Sequence, residues 1–286
     1  MEPILNVCGY RFVAIDDALL LRERLHSQAT ALGLKGSVIL APEGINFALA
    51  GQDAQLRDWI GELRRDTRFA ELDLRFSVSA AVPFQRLLIK VKREIIRMNQ
   101  PMIAPQRERA PSVDAPSLER WLDGGHDDRG RELVLLDTRN GFEVDHGRFR
   151  GALDWRLRSF SDFTGALRER RRELDGKTVV SYCTGGIRCE KAALWMRHEG
   201  IANVLQLDGG ILKYFEISGA SHFEGNCFVF DSRTCLDSSL VGERSRARQA
   251  DSWGRSGVEN GQHLGAKLAP VQDDDDTSCG HHESQG

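Results

Sequence analysis

The sequence predicts an α/β protein with two domains, and three observations support this prediction. Segments with strand-like and helix-like patterns alternate along most of the 286 residues. Residues 99–116 contain four prolines and divide these segments into two groups. The first group has the element order of a small α+β sheet, and the second has the strand–helix alternation of a parallel sheet. We therefore expect domains at residues 1–98 and 117–222, joined by a linker at 99–116.

The first domain is predicted to contain four strands and two helices. The expected bounds are residues 8–15, 35–41, 45–50 and 86–93 for the strands, and 17–32 and 53–65 for the helices. This β-α-β-β-α-β order is that of a ferredoxin-like α+β domain, with an additional extended piece at residues 74–78. In the first helix, leucines follow a helical pattern at Leu19, Leu20, Leu25 and Leu32.

The last predicted strand of this domain is basic on one face. Arg86, Lys90 and Lys92 point to one side, and Ile89 and Val91 point to the other. Residues 82–109 hold seven basic and two acidic side chains, and contacts with phosphate depend on such a local excess. Two interpretations stay open. The strand is either an RNA-binding surface formed by Arg86, Lys90, Lys92 and Arg93, or an ordinary solvated sheet face.

The second domain is predicted to be a parallel sheet with covering helices. Its expected strands are residues 132–139, 178–181 and 204–211, the last ending in a double glycine, and its expected helices are residues 117–122, 161–174 and 189–198. Ser117 is expected to cap the first of these helices. Ligands of parallel sheets lie at the carboxyl ends of the strands, and Cys183 falls at one such end.

Cys183 has the sequence surroundings of a stabilised thiolate. A glycine-containing loop runs from Cys183 to Arg188 and opens a helix. Loop amides, the positive end of the helix and the Arg188 guanidinium all favour the ionised sulfur. We therefore predict Cys183 and Arg188 as catalytic, and the loop residues between them as substrate-binding, namely Thr184, Gly185 and Gly186. The alternative is a buried structural cysteine before an ordinary loop.

Three further residues are predicted to support this loop. Asp137 and Arg139 end the strand at residues 132–139, and they either contribute to the site or brace the loop from beneath. Cys189 begins the following helix. It either resolves an oxidised or persulfidated Cys183 or simply packs inward, and we favour packing.

Composition excludes several classes of protein. No apolar run approaches the ~20 residues of a membrane span, and no signal peptide is visible at the start. Six unevenly spaced cysteines do not form a disulfide framework, so a reducing cytoplasm is expected. No metal-ligand spacing or glycine-rich nucleotide loop occurs, and no metal site or resident cofactor is predicted. Residues 223–240 form a C-terminal extension, and residues 241–286 have the composition of a disordered tail.

Several segments carry a resemblance to a known family. The Cys-x4-Arg loop and the preceding Asp-x-Arg resemble those of rhodaneses, whereas phosphatases of similar design have a longer Cys-x5-Arg loop. Four segments together resemble the rhodanese-domain tRNA uridine hydroxylases, the TrhO family: residues 36–47, 83–95, 183–191 and 223–231. One departure is clear, because many members continue into a cysteine-rich segment where this chain has only Cys227 and Cys235, with Cys279 alone in the tail.

The resemblance implies oxygen-dependent hydroxylation of the wobble uridine of tRNA to 5-hydroxyuridine. Cys183 would be the persulfide-forming cysteine and Arg188 the loop arginine. Dioxygen and a reductant would be co-substrates, and the anticodon arm of tRNA would bind to the first domain. Two alternatives use the same sequence features: a rhodanese-type sulfurtransferase, and a tRNA-binding module without catalysis.

Overall fold

The computed structural model describes residues 3–242, which form two sheets with helices packed on them. The first domain contains β1 Ile4–Phe12, α1 Ala18–Ala31, β2 Lys35–Ala41, β3 Gly44–Gly51, α2 Asp53–Arg64, β4 Asp73–Ser79 and β5 Leu87–Val91. The second domain contains β6 Ser112–Val113, α3 Ala115–Gly124, β7 Leu133–Asp137, α4 Gly141–Val144, β8 Gly147–Phe149, β9 Leu153–Asp154, α5 Phe163–Arg170, β10 Thr178–Tyr182, α6 Ile187–His198, β11 Val204–Leu207 and α7 Gly210–Ser218. Three short strands follow: β12 Phe223–Gly225, β13 Cys227–Phe228 and β14 Cys235–Leu236. β12 pairs antiparallel with β8, and β13 pairs antiparallel with β14.

The first sheet is mixed, in the order β4-β1-β3-β2-β5. β1 pairs antiparallel with β3 and β4, and β2 pairs parallel with β5. The fourth strand of the ferredoxin-like plan is therefore Asp73–Ser79, and Leu87–Val91 is the added edge strand. This reverses the roles that the sequence predicted for these two segments, although the fold class itself is confirmed.

One face of the first sheet packs on α1 and α2, and the other face is left for the second domain. Buried side chains of both helices join the strand side chains in one core, as with Leu21, Leu25 and Trp59. Leu19 and Leu20, which the sequence pattern included, are 68% and 72% exposed instead. The first strand begins at Ile4, earlier than predicted. The apolar pattern did not reveal this start, because the polar residue Asn6, which is buried, interrupts it.

The second sheet is parallel throughout, in the order β6-β11-β10-β7-β9. Its edge strand Ser112–Val113 lies within the predicted linker, so that segment ends as part of the sheet. Asp114, not Ser117, caps the next helix, since its carboxylate accepts the Ser117 N–H at 2.8 Å. Val241 and Gly242 still pair with Val78 and Leu236, and the remainder of the predicted tail lies outside the described residues.

Candidate active site at the domain interface

Cys183 lies where the central strand of the parallel sheet ends. β10 has β7 on one side and β11 on the other, so the carboxyl ends of three strands meet beside the sulfur. A cleft of about 1200 Å³ opens there, lined by Cys183, Thr184 and Gly185 from one domain and by the free sheet face of the other. The predicted reactive cysteine is therefore at the bottom of an interdomain cleft.

The loop after Cys183 is shorter than predicted, because α6 begins at Ile187 rather than near Cys189. Gly186 has a φ of 101°, a left-handed conformation that favours glycine. In this conformation its N–H donates to Cys183 Sγ at 3.2 Å. A side chain at Gly186 would also approach the Tyr10 hydroxyl to about 3.0 Å, whereas Gly185 faces open space. The two glycines thus turn an amide toward the sulfur and keep the cleft open above it.

The predicted double glycine holds this loop from the other side. The Ile211 N–H donates to the Cys183 carbonyl at 3.0 Å, and the Leu212 N–H donates to the Thr184 carbonyl at 3.1 Å. A Cβ atom on Gly210 would lie 2.4 Å from the Cys183 carbonyl oxygen, so only glycine permits this approach. The start of α7 therefore takes up the loop carbonyls.

The two cysteines of the loop have opposite ionisation tendencies. Burial disfavours the Cys183 thiolate, but the hydrogen bond with Cys189 and the charge of Arg188 outweigh it and lower the pKa of Cys183 below the ordinary thiol value. Burial and the neighbouring Cys183 charge raise the pKa of Cys189. The Cys189 sulfur lies 2.9 Å from the Gly186 carbonyl oxygen and 3.8 Å from Cys183 Sγ, so its single proton is shared between these two acceptors. Cys183 is the thiolate of the pair, and Cys189 is a buried thiol in contact with it.

Arg188 is held by a carboxylate that the sequence analysis missed. Its Nη1 and Nη2 donate to Glu143 Oε1 and Oε2 at 2.5 and 2.8 Å, and both side chains are buried. Glu143 also accepts the Asn140 N–H at 3.0 Å. Two features of the sequence could have indicated Glu143. The Asn140-x-x-Glu143 spacing is typical of a helix start, and a buried arginine needs an acidic partner. Glu143 fixes the guanidinium whose charge acts on Cys183.

Asp137 and Arg139 form a second buried pair beneath the loop. Arg139 Nε and Nη2 donate to the Asp137 carboxylate at 2.9 and 2.6 Å, and Nη2 also donates to the Gly147 carbonyl at 2.7 Å. The Arg139 guanidinium lies 5.8 Å from the ring of Tyr182, the residue that directly precedes Cys183. This geometry is that of a brace at the end of β7.

The residues after Cys189 join the two domains. Glu190 accepts the Tyr10 hydroxyl at 3.1 Å and pairs with Arg109 Nε at 3.1 Å. Lys191 is 2% exposed, and its Nζ lies 2.9 Å from Glu43 and 2.7 Å from Glu94. The helix that begins at the end of the Cys183 loop therefore also docks the first domain, and most of its side chains are buried.

The four basic residues predicted to bind RNA lie at one edge of the first sheet. Arg86, Lys90, Lys92 and Arg93 are exposed and lie outside the cleft lining. Lys90 pairs in register with Ile39, which lines the cleft, so its side of β5 continues the cleft face of the sheet. Arg97 and Arg107, which the sequence analysis did not single out, do line the cleft.

Between residues 3 and 242, no group of three or more histidine, cysteine or acidic side chains is arranged to hold a metal ion. Cys227 and Cys235 are buried on the paired strands β13 and β14, and Cys279 lies outside the described residues. Within the same described range, no helix has both the length and the apolar character to cross a membrane.

A cysteine loop at the carboxyl edge of a parallel sheet, backed by a buried arginine, defines the second domain as rhodanese-like. A family model described as a rhodanese-like domain matches residues 114–216, and one described as a UPF0176 acylphosphatase-like domain matches residues 4–95. A protein of Variovorax paradoxus is 57% identical over 93% of this chain and 100% of its own length, and one of Bordetella avium is 57% identical over 83% of this chain and 98% of its own. Both are named tRNA uridine(34) hydroxylase, and the chain belongs to that family.

Proposed function

We propose that this protein hydroxylates C5 of uridine 34, the wobble nucleotide of tRNA. The observation that carries the proposal is the position of Cys183 at the bottom of a cleft between two domains, with the Gly186 N–H 3.2 Å from its sulfur. The family relationship gives the substrate, since relatives 57% identical over most of the chain bear the name tRNA uridine(34) hydroxylase. A tRNA substrate also assigns the protein to the cytoplasm.

The proposed reaction replaces the C5–H bond of uracil by C5–OH. One oxygen atom of O₂ enters the base, and the other leaves as water after taking two electrons and two protons from a reductant. Dioxygen and this reductant are therefore the proposed co-substrates. Cys183 takes part as the thiolate or as its persulfide, and the Gly186 amide and the Arg188 charge stabilise the negative Sγ of the thiolate.

The first domain is proposed to hold the anticodon arm. Arg97 and Arg107 line the cleft, and Arg86, Lys90, Lys92 and Arg93 extend the positive surface along the sheet edge. Such side chains bind phosphates without regard to sequence and place the loop in register. The wobble uridine is unpaired in the anticodon loop, so turning it toward Cys183 costs less than extracting a base from a duplex.

Sulfur transfer is the second candidate function. The six-residue span from Cys183 to Arg188 and the match of residues 114–216 to the rhodanese-like domain favour it. A rhodanese-type enzyme would carry sulfur on Cys183 and pass it to an acceptor, with no need for O₂. Turnover of thiosulfate and cyanide by the purified protein, abolished by Cys183→Ala, would favour this alternative.

The decisive experiment is nucleoside mass spectrometry on tRNA from cells that lack this gene. The cells are complemented with the wild type, with Cys183→Ala, or with Cys235→Ala as a matched control, because Cys235 is also buried but lies outside the cleft lining. We expect 5-hydroxyuridine and its derivatives to return with the wild type and to stay absent with Cys183→Ala. Return with both Cys183→Ala and the wild type would refute a role for the cysteine, and return with neither would refute the hydroxylase function.

A further inference from the structure

Three phenylalanines form an exposed cluster on the second domain. Phe142 and Phe230 are 47% and 65% exposed, and Phe228 lies between them. The ring centroids are 5.1 to 6.2 Å apart, and the ring planes are nearly perpendicular. The His146 ring lies 5.3 Å from that of Phe228. We call these three phenylalanines the ring cluster. Large apolar side chains grouped at a surface indicate a binding site rather than chance exposure.

One contact, one shared cleft and one neighbour in sequence relate the ring cluster to the loop at residues 183–188. The Thr184 hydroxyl donates to the Phe228 carbonyl at 3.5 Å. Phe230 lines the same cleft as Cys183. Phe142 directly precedes Glu143, the carboxylate that fixes Arg188. A molecule in the cleft above Cys183 can therefore contact Phe230, and Phe142 and Phe228 pack against that ring outside the cleft lining.

Two arginines follow His146 closely in sequence. Arg148 and Arg150 are exposed, Arg148 on β8 and Arg150 directly after it. Asp145, the acid close to His146, is neutralised by Arg156 at 2.6 Å, and this pairing lowers the pKa of Asp145. Glu224 stands opposite Arg148 across the strand pair. Exposed aromatic rings at the edge of a cleft are suited to stacking with unpaired RNA bases.

We propose that Phe142, Phe228 and Phe230 form a stacking platform for unpaired bases of the anticodon loop next to the target uridine. This inference rests on the proposed function and names a binding site for its substrate. Every base has a π-face, so stacking holds the loop nucleotides without selecting their sequence. The platform would supply the loop with contacts that replace base stacking when uridine 34 turns toward Cys183.

The test measures binding of an anticodon stem-loop RNA to the full-length protein without oxygen, so that no turnover occurs. The RNA carries 2-aminopurine next to the target uridine, and its fluorescence falls when the base stacks on a ring. The variants are Phe230→Ala, Phe142→Ala, Phe230→Leu and Phe230→Tyr. Leu20→Ala is the matched control, because Leu20 is equally exposed but lies on α1.

We expect Phe230→Ala and Phe142→Ala to weaken binding about fivefold or more and to abolish the fluorescence quench. Phe230→Tyr should restore both, whereas Phe230→Leu should not, since leucine keeps the apolar surface without a π-face. Normal binding by the alanine variants, or full rescue by leucine, overturns the inference and leaves the proposed function intact. Failure of the wild type to bind the RNA overturns both. A changed sedimentation coefficient with unchanged RNA binding means that the cluster joins protein copies, and this also overturns the inference.

Discussion

The loop from Cys183 to Arg188 and the edge of the first sheet both carry basic side chains, but in opposite settings. Arg188 is buried, and Glu143 holds its guanidinium through two hydrogen bonds. Arg86, Lys92 and Arg93 are exposed at the rim of the first sheet. The first setting fixes one charge at one point, and the second offers several charges along a surface.

This difference determines what each charge can do. Inside the protein the field of Arg188 is weakly screened, so it acts on a single nearby sulfur. Burying the Arg188 charge costs desolvation free energy, and only a well-placed carboxylate offsets that cost. Under the proposed function, charges at the rim would act by releasing counterions from RNA, and each would contribute a small share. Substitutions in the two regions should therefore differ in kind as well as in size.

The largest effect is expected from Arg188→Met. It leaves Glu143 buried without its cation, which should lower the free energy of unfolding by about 3–5 kcal/mol in urea denaturation. It should also raise the pKa of Cys183, because the charge that favours the thiolate is gone. The double variant Arg188→Met/Glu143→Gln should recover most of the stability but not the low pKa. A double variant as unstable as the single one would show that the pair is not the cause.

Lys191→Met tests the buried charge that joins the domains. Glu43 and Glu94 would lose their shared cation, but their side chains are 12% and 21% exposed, so we expect a smaller loss of about 2 kcal/mol. Burial already raises the pKa of Glu43, and removing Lys191 should raise it further. Protonation then relieves the folded state, and the deficit should shrink as pH falls from 8 to 5.

The matched control for this experiment is Lys177→Met. Lys177 pairs with Glu132 at 2.8 Å, but these side chains are 30% and 64% exposed. An exposed pair of this kind contributes about 0–1 kcal/mol. Equal losses in the two variants, or a deficit at Lys191 that does not change with pH, would contradict a buried charge cluster at the interface.

The pH dependence of alkylation tests the thiolate directly. An ordinary thiol loses about tenfold in rate for each pH unit below its pKa, which is about 8.5. Because the pKa of Cys183 is lowered, its alkylation by iodoacetamide should stay nearly constant between pH 8 and 7. Cys8 is the internal control, since burial raises its pKa to about 11. Peptide mass spectrometry follows both, and parallel profiles would refute the thiolate.

The same shift links Cys183 to stability. Its pKa is lower in the folded than in the unfolded protein, so the thiolate stabilises the fold at alkaline pH. That contribution is lost as pH falls through the folded pKa. A Cys183→Ala variant should therefore differ from the wild type less at acid pH than at alkaline pH.

Local patterns predicted the elements well where neighbouring residues decide the structure. The strand Lys35–Ala41 and the helix Asp53–Arg64 lie within a residue of their expected bounds, because β-branched runs and helical apolar spacing are local signals. The exchange of the segments at 73–79 and 87–91 was not predictable in this way. Both look like short strands, and only tertiary packing decides which one pairs with β1.

The candidate site shows the same difference between local features, which the sequence reveals, and distant partners, which it does not. Cys183, its glycines and Arg188 are adjacent in sequence and carry a recognisable spacing. Their partners are distant: Glu143 lies 45 residues from Arg188, and Glu94 lies 97 residues from Lys191. Ion pairs between residues so far apart leave no periodic pattern in a single sequence. The contacts by which Glu190 and Lys191 join the two domains were therefore visible only in the folded structure.

The smallest effects on stability are expected at the basic rim. Lys92→Ala and Arg93→Ala should each change the free energy of unfolding by less than about 0.5 kcal/mol, since both side chains are exposed. In RNA-binding titrations at several salt concentrations, each should lower the slope of log affinity against log salt by about 1. Arg22→Ala on α1 is the control, because that helix covers the opposite face of the sheet. An equal loss of slope with Arg22→Ala would mean that RNA contacts the whole surface. The rim would then not be a specific RNA-binding surface, and its contrast with the fixed charge at the loop would be wrong.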